Sequence, residues 1–143
     1  MKYSVISILA ILFLSPSLFA GTAHGGGSAG KQTIYTATVD KDGIQKVEIS
    51  GSDYYFDPDH IVVKKDIPVE FTVRKMSGII PHNIVIESPE ASMNIRETIS
   101  RDPRVIRFTP TKTGTYPFFC DKKFLFFPSH RKKGMEGILE VVE

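Results

Sequence analysis

From residue 33 onward the chain is made of short segments in which apolar side chains recur at every second position. The clearest is Val69, Phe71 and Val73, spaced by Glu70 and Thr72, the period-two pattern of a strand with one face in a core. Residues 33–39, with Ile34, Tyr35, Thr36, Ala37, Thr38 and Val39, have a β-rich composition, as does the run carrying Ile44, Val47 and Ile49. Residues 40–43 between them, Asp-Lys-Asp-Gly, have turn chemistry. Residues 54–59 lead into Ile61, Val62 and Val63, and residues 64–68 carry the chain over to the Val69 segment. Further strands are predicted at Ile84, Val85 and Ile86 and at residues 105–108, 114–120 and 138–142. Several short strands at turn-punctuated intervals predict an all-β fold, an antiparallel Greek-key β-sandwich. Residues 89–100 read two ways: Ser88, Pro89 and Glu90 suit the start of one short helix, whereas Met-Asn-Ile-Arg-Glu-Thr-Ile-Ser also suits a strand.

The first 30 residues follow a different pattern. Lys2 precedes an apolar run over residues 5–14 broken only by Ser7, and Pro16 ends it. Leu18, Phe19 and Ala20 offer a small residue for cleavage, so residues 1–20 are expected to be a signal peptide cut after Ala20, with Ala23 as the alternative. An uncleaved anchor would need closer to ~20 apolar residues. Residues 21–30, rich in Gly and containing His24, are expected to be a flexible lead-in, because Gly and Ser bury too little surface to offset their ordering entropy. Residues 31–143 then suffice for one domain with one core. The expected location is the periplasm, with no membrane span once the signal is removed.

Charge excludes one class of partner. Lys and Arg number 18 against 16 Asp and Glu, and Lys2 leaves with the signal, so no bulk attraction to nucleic acid is implied. Basic residues do cluster locally: Lys122, Lys123, Arg131, Lys132 and Lys133 flank a segment containing Phe124, Phe126, Phe127 and Pro128. The aromatic residues either cap the core or form an apolar collar from which the edge of His130 emerges to meet a partner. A cationic rim would speed encounter with an acidic partner in a salt-dependent way.

There is one cysteine, Cys120, and an unpaired cysteine in an exported protein invites explanation. It ends the segment Thr-Tyr-Pro-Phe-Phe-Cys; His130 follows after nine residues and Met135 after four more, while His82 opens the upstream strand Asn-Ile-Val-Ile. Two imidazoles, a thiolate and a thioether suit copper in both oxidation states, whereas zinc would take a stronger fourth ligand. Met76 and Met93 are expected to fill space, and His60 to face solvent from a loop.

These residues resemble the cupredoxin family of blue-copper proteins: His82 opening a strand, Gly114-Thr-Tyr-Pro-Phe-Phe-Cys120, His130, Met135, and Gly137-Ile-Leu-Glu-Val at the end. Phe-Asp-Pro-Asp-His-Ile-Val-Val-Lys-Lys-Asp-Ile-Pro-Val-Glu-Phe is similar to the family's second and third strands, with Asp66 where a Gly is common. The resemblance, over about residues 50–143, implies the cupredoxin sandwich and one Cu(I)/Cu(II) ion per chain held by His82, Cys120, His130 and Met135. It also implies a hydrogen bond to the thiolate from the backbone beside His82, at Asn83. The nine-residue interval between Cys120 and His130 exceeds the family's usual two to four. A dinuclear centre would require a second cysteine there, where Lys123 and Phe124 stand.

The function expected is one-electron transfer between redox partners, such as a cytochrome or an oxidase, docking near the loop from Cys120 to Met135. The alternative is copper sequestration or delivery, which a long ligand loop would favour. Catalysis is not expected, because neither a third residue orienting a Cys–His pair nor a second metal cluster is evident.

Overall fold

The computed structural model describes residues 33–143; the expected signal peptide and the Gly-rich lead-in with His24 lie outside the described residues. Ten strands follow one another: β1 (Ile34–Thr36), β2 (Gln45–Ser52), β3 (Tyr55–Asp57), β4 (His60–Lys64), β5 (Val69–Lys75), β6 (His82–Ser88), β7 (Met93–Ile99), β8 (Arg104–Phe108), β9 (Gly114–Phe119) and β10 (Glu136–Val142). They form two sheets, one ordered β1-β4-β10-β9-β6-β7 and the other β3-β2-β5-β8.

Alternation decides which side chains meet between the sheets. In β5, Val69, Phe71 and Val73 are buried while Glu70 and Thr72 are half-buried on the other face. Val47 and Ile49 of β2, Ile61 and Val63 of β4, Ile84 and Ile86 of β6, Phe118 of β9 and Leu139 of β10 join them in the core. β6 departs from alternation because Val85 on its other face is also fully buried. It stands opposite Phe119, whose ring is covered by the Arg131 guanidinium 4.0 Å away.

The all-β sandwich matches the sequence reading, but its pairing is mixed rather than antiparallel throughout. β1 with β4, β4 with β10 and β2 with β5 run parallel. Parallel neighbours need a crossover instead of a hairpin, and strands of the opposite sheet supply it: β4 lies between β2 and β5 in sequence but in the other layer. Alternation carries no record of strand direction. Residues 89–100 satisfy both of their readings in part, with Pro89–Ala91 making one 3-10 turn and Met93–Ile99 making β7.

Two turns are fixed by side chains. Asp40 Oδ1 accepts the backbone N–H groups of Asp42 and Ile44, turning the chain into β2. Buried Gln45 donates to the carbonyls of Lys64 and Ile67 and accepts the Lys64 N–H, locking the β4–β5 corner. Asp66 in that corner has φ 58°, a left-handed conformation that Asp tolerates better than most residues. With this frame held, β6 begins at His82 and β9 delivers Cys120 at the same end of the first sheet. β6 and β9 share a single register pair, Val85 opposite Phe119.

Candidate metal centre

The site is set by how the chain between β9 and β10 is tied at its base. The Cys120 N–H donates to the Met135 carbonyl at 3.0 Å, the Arg131 N–H to the Cys120 carbonyl at 3.0 Å, and the His130 N–H to the Lys122 carbonyl at 2.8 Å. The Met135 N–H donates to the His130 carbonyl at 3.0 Å. These bonds bring residues 120, 130 and 135 together whatever the length of chain looping out between them. His82 arrives from β6.

Cys120 Sγ lies 3.4 Å from His130 Nδ1 and 3.9 Å from His82 Nδ1, and the two Nδ1 atoms are 3.1 Å apart. His82 and His130 are each 2 % exposed and Cys120 is fully buried. Among the described residues these three make the one group of His, Cys, Asp or Glu donor atoms close enough to hold an ion. Three bonds of roughly 2.0–2.3 Å in a plane would set donor atoms roughly 3.5–4.0 Å apart, so the triangle is already near the size a trigonal centre requires. A thiolate with two imidazoles is the donor chemistry copper takes. Met135 is fully buried, with its backbone bonded to both Cys120 and His130.

Burial controls the charge of these groups. It pushes the His82 imidazole down from 6.5 to about 4, helped by the neighbouring His130 and by Lys75. Burial, then Lys133, also lowers His130. The Cys120 thiol is pushed up by burial, against the opposing hydrogen bond from Asn83. Two neutral imidazoles therefore face a thiol at neutral pH.

Surrounding residues hold this arrangement. The Asn83 N–H reaches Cys120 Sγ at 3.5 Å, the contact that the resemblance implied. Asn83 Nδ2 donates to Asp121 Oδ1, and Asp121 is paired with Arg96, which also pairs with Glu87. The Tyr54 ring stands edge-on to His130 at 4.9 Å and to His82 at 6.3 Å. A Cβ on Gly51 would lie 2.8 Å from Ile99 Cδ1 and 3.4 Å from Met135 Cε, so a side chain there would press on Ile99 and come into contact with Met135.

The chain matches the cupredoxin-like domain family over residues 6–135. It belongs to the cupredoxin-like family. The metal-binding domain of the Cu(I)-exporting P-type ATPase CopA of Streptococcus pneumoniae D39, solved with Cu(I), is similar to this cupredoxin-like chain. It shares 29% identity and a TM-score of 0.60, over 80% of this chain and 100% of that one. A copper-binding protein solved in the apo form shares 22% identity, over 76% of this chain and 96% of its own, with a TM-score of 0.55. Auracyanin A, a blue copper protein of Chloroflexus aurantiacus, shares 19% identity, over 70% of this chain and 100% of its own, with a TM-score of 0.53. The last two show likeness of fold. No curated protein sequence matches the chain. A cupredoxin-like sandwich that gathers His82, Cys120 and His130, with Met135 alongside, points to copper.

The cupredoxin-like frame corrects several details. His130 does not emerge from an apolar collar, because its ring is buried; the collar itself is real, with Phe124, Phe126 and Phe127 exposed. The five basic residues are not equivalent. Arg131 is paired with Glu136 and Lys133 lies over the Tyr54 ring at 4.3 Å. His60 opens β4 and bonds to Glu140 at 3.0 Å instead of facing solvent from a loop. Met93 is buried, as a space-filling residue would be, and Met76 is half exposed. Tyr54, Gly51, Asp121 and Arg96 went unmarked in the sequence, although the Ser-Asp-Tyr-Tyr-Phe-Asp segment before β4 and the acidic residue directly after Cys120 were available as signals.

Proposed function

We propose that this protein is a periplasmic carrier of single electrons, with one copper ion that His82, Cys120, His130 and Met135 would hold. The carrying observation is that the Cys120 thiol and the two imidazoles are gathered within reach of one another and buried together. His82 and His130 offer neutral rings with available lone pairs, and Cys120 gives up its proton on ligation. The Asn83 N–H holds the sulfur in place. Burial excludes water and restricts rearrangement between oxidation states, a condition for fast exchange. Copper, when bound, supplies the one-electron couple. A cytochrome or an oxidase is the kind of partner such a carrier serves, docking near the loop from Cys120 to Met135.

A second reading, copper sequestration or delivery, is favoured by the 29% identity to the metal-binding domain of a Cu(I)-exporting ATPase. Titration with Cu(II), followed by visible absorption, separates the two. An intense band saturating at about one copper per chain supports the carrier, since a thiolate bound to Cu(II) absorbs strongly. Binding without that band, with retention of Cu(I) alone, favours copper handling, and no binding removes both.

A further inference from the structure

The residues between Cys120 and His130 form a projecting tip with a composition that turn formation does not require. The Phe127 N–H donates to the Phe124 carbonyl at 3.0 Å, closing a tight turn over residues 124–127. Turn tips are normally Gly, Asn, Asp, Ser or Pro, but this one is Phe-Leu-Phe-Phe. Leu125 even occupies the left-handed region, with φ 49°, where a side chain of its kind is strained. All four side chains stand in solvent: Phe126 is 87% exposed, Leu125 67%, Phe124 64% and Phe127 49%. The rings of Phe124, Phe127 and Phe126 stack in near-parallel planes. A second apolar loop reaches the same end of the sandwich. Ile79, 95% exposed, lines with Ile80, Phe124 and Phe127 a groove of about 460 Å³ that leads to His130.

Cations ring the base of this tip. Lys122, Lys123, Lys132 and Lys133 have no carboxylate partner among the described residues, in contrast to Arg131 with Glu136. Protruding apolar side chains above a belt of long basic ones match a bilayer interface, where rings settle at the headgroup boundary and ammonium groups meet phosphates. Phe126 and Leu125, the most exposed of the four, lie outside the lining of that groove, so an occupant of the groove alone leaves them in water, whereas a bilayer interface covers crest and groove together.

We propose that the turn of residues 124–127, together with Ile79, is a membrane-docking tip that inserts into the interface of an anionic lipid bilayer, with Lys122, Lys123, Lys132 and Lys133 at the level of the phosphates. The tip turns the His130 side of the sandwich toward the membrane and confines exchange to partners embedded there. The insertion itself does not depend on bound copper.

The chain has no tryptophan, so Phe126→Trp places a single indole at the crest, where its exposure spares the fold. The metal-free full-length variant is mixed with vesicles of phosphatidylcholine containing phosphatidylglycerol. The expected result is a blue-shifted emission that brominated lipids quench. Adding Leu125→Asp abolishes the shift, and Gln at the four lysines weakens binding by about tenfold or more. Because the indole reports only on the crest, attachment of the chain through its apolar N-terminal run would leave the emission unshifted. An emission that stays water-like with vesicles overturns the proposal. So does one that ignores vesicles but shifts with polyglutamate, which assigns the surface to an acidic protein instead. The copper titration is a separate measurement, so either result can fail without the other.

Discussion

Asn83 and Asp121 hold each other in both directions: Asn83 Nδ2 donates to Asp121 Oδ1 at 2.8 Å, and the Asp121 N–H donates to Asn83 Oδ1 at 3.2 Å. These residues directly follow His82 and Cys120, so the pair fixes the separation of two of the donor groups. Asp121→Ala removes one of the two bonds and the ion pair to Arg96. The expected loss is about 1–3 kcal/mol in urea unfolding of the metal-free protein, with faster copper dissociation. Unchanged dissociation would show that β6 and β9 alone set the spacing.

Cys120→Ser removes the thiolate. The visible band of the copper-loaded protein is expected to vanish, because it arises from charge transfer between sulfur and copper. A fully coloured variant would refute ligation by Cys120.

Met135→Leu preserves volume closely enough to cost less than about 1.5 kcal/mol in stability. Copper is expected to remain bound with a shifted reduction potential, since the axial ligand tunes it. A potential equal to that of the wild type would make Met135 a packing residue only.

The pH dependence follows from His82. Its folded value of about 4 lies below the ordinary 6.5, so between these values the unfolded chain binds more protons than the folded one. Metal-free stability from this group is full above pH 6.5 and is lost as pH falls toward about 4, by at most roughly 3 kcal/mol. Chemical unfolding across that window tests it. At pH 7 both imidazoles are neutral, so copper uptake should release about one proton, from Cys120. Calorimetry in buffers of different ionisation enthalpy counts it.

Gly51→Ala puts a methyl group against Ile99 and Met135. Overpacking of this kind costs about 1–3 kcal/mol, and the Ile99 side chain, forced to move, is expected to press on Met135 and so alter the visible spectrum. A stable variant with an unaltered spectrum would show that the Ile99 side chain gives way alone.

Much of this was legible in the chain because each strand carries its own burial pattern: Val69, Phe71 and Val73 announce an inward face without reference to any neighbour. The order of His82, Cys120, His130 and Met135 was equally visible, each standing at a strand end or in the segment joining two strands. What sequence could not carry was pairing. The parallel run of β2 beside β5 depends on a crossover through the other sheet, and the reach of Arg96 to Asp121 requires β7 to lie beside β6 in the observed register. The burial of His130 escaped for a similar reason, because Tyr54, which packs against it, lies 76 positions upstream in the chain.

The scarcity of ladder contacts between β6 and β9 gives the donor triangle another role. The sheet is stitched there by one register pair, and the side chains that would clasp an ion stand just past it, His82 on one strand and Cys120 at the end of the other. A bound ion would rivet that seam where the backbone ladder runs out and the side-chain and thiol contacts of Asn83 take over. Amide exchange along the two strands should then slow with copper supply, since a ligand held only by the native state stabilises it by mass action, and stripping the ion would let this end of the sandwich breathe while the β2–β5–β8 layer stays closed.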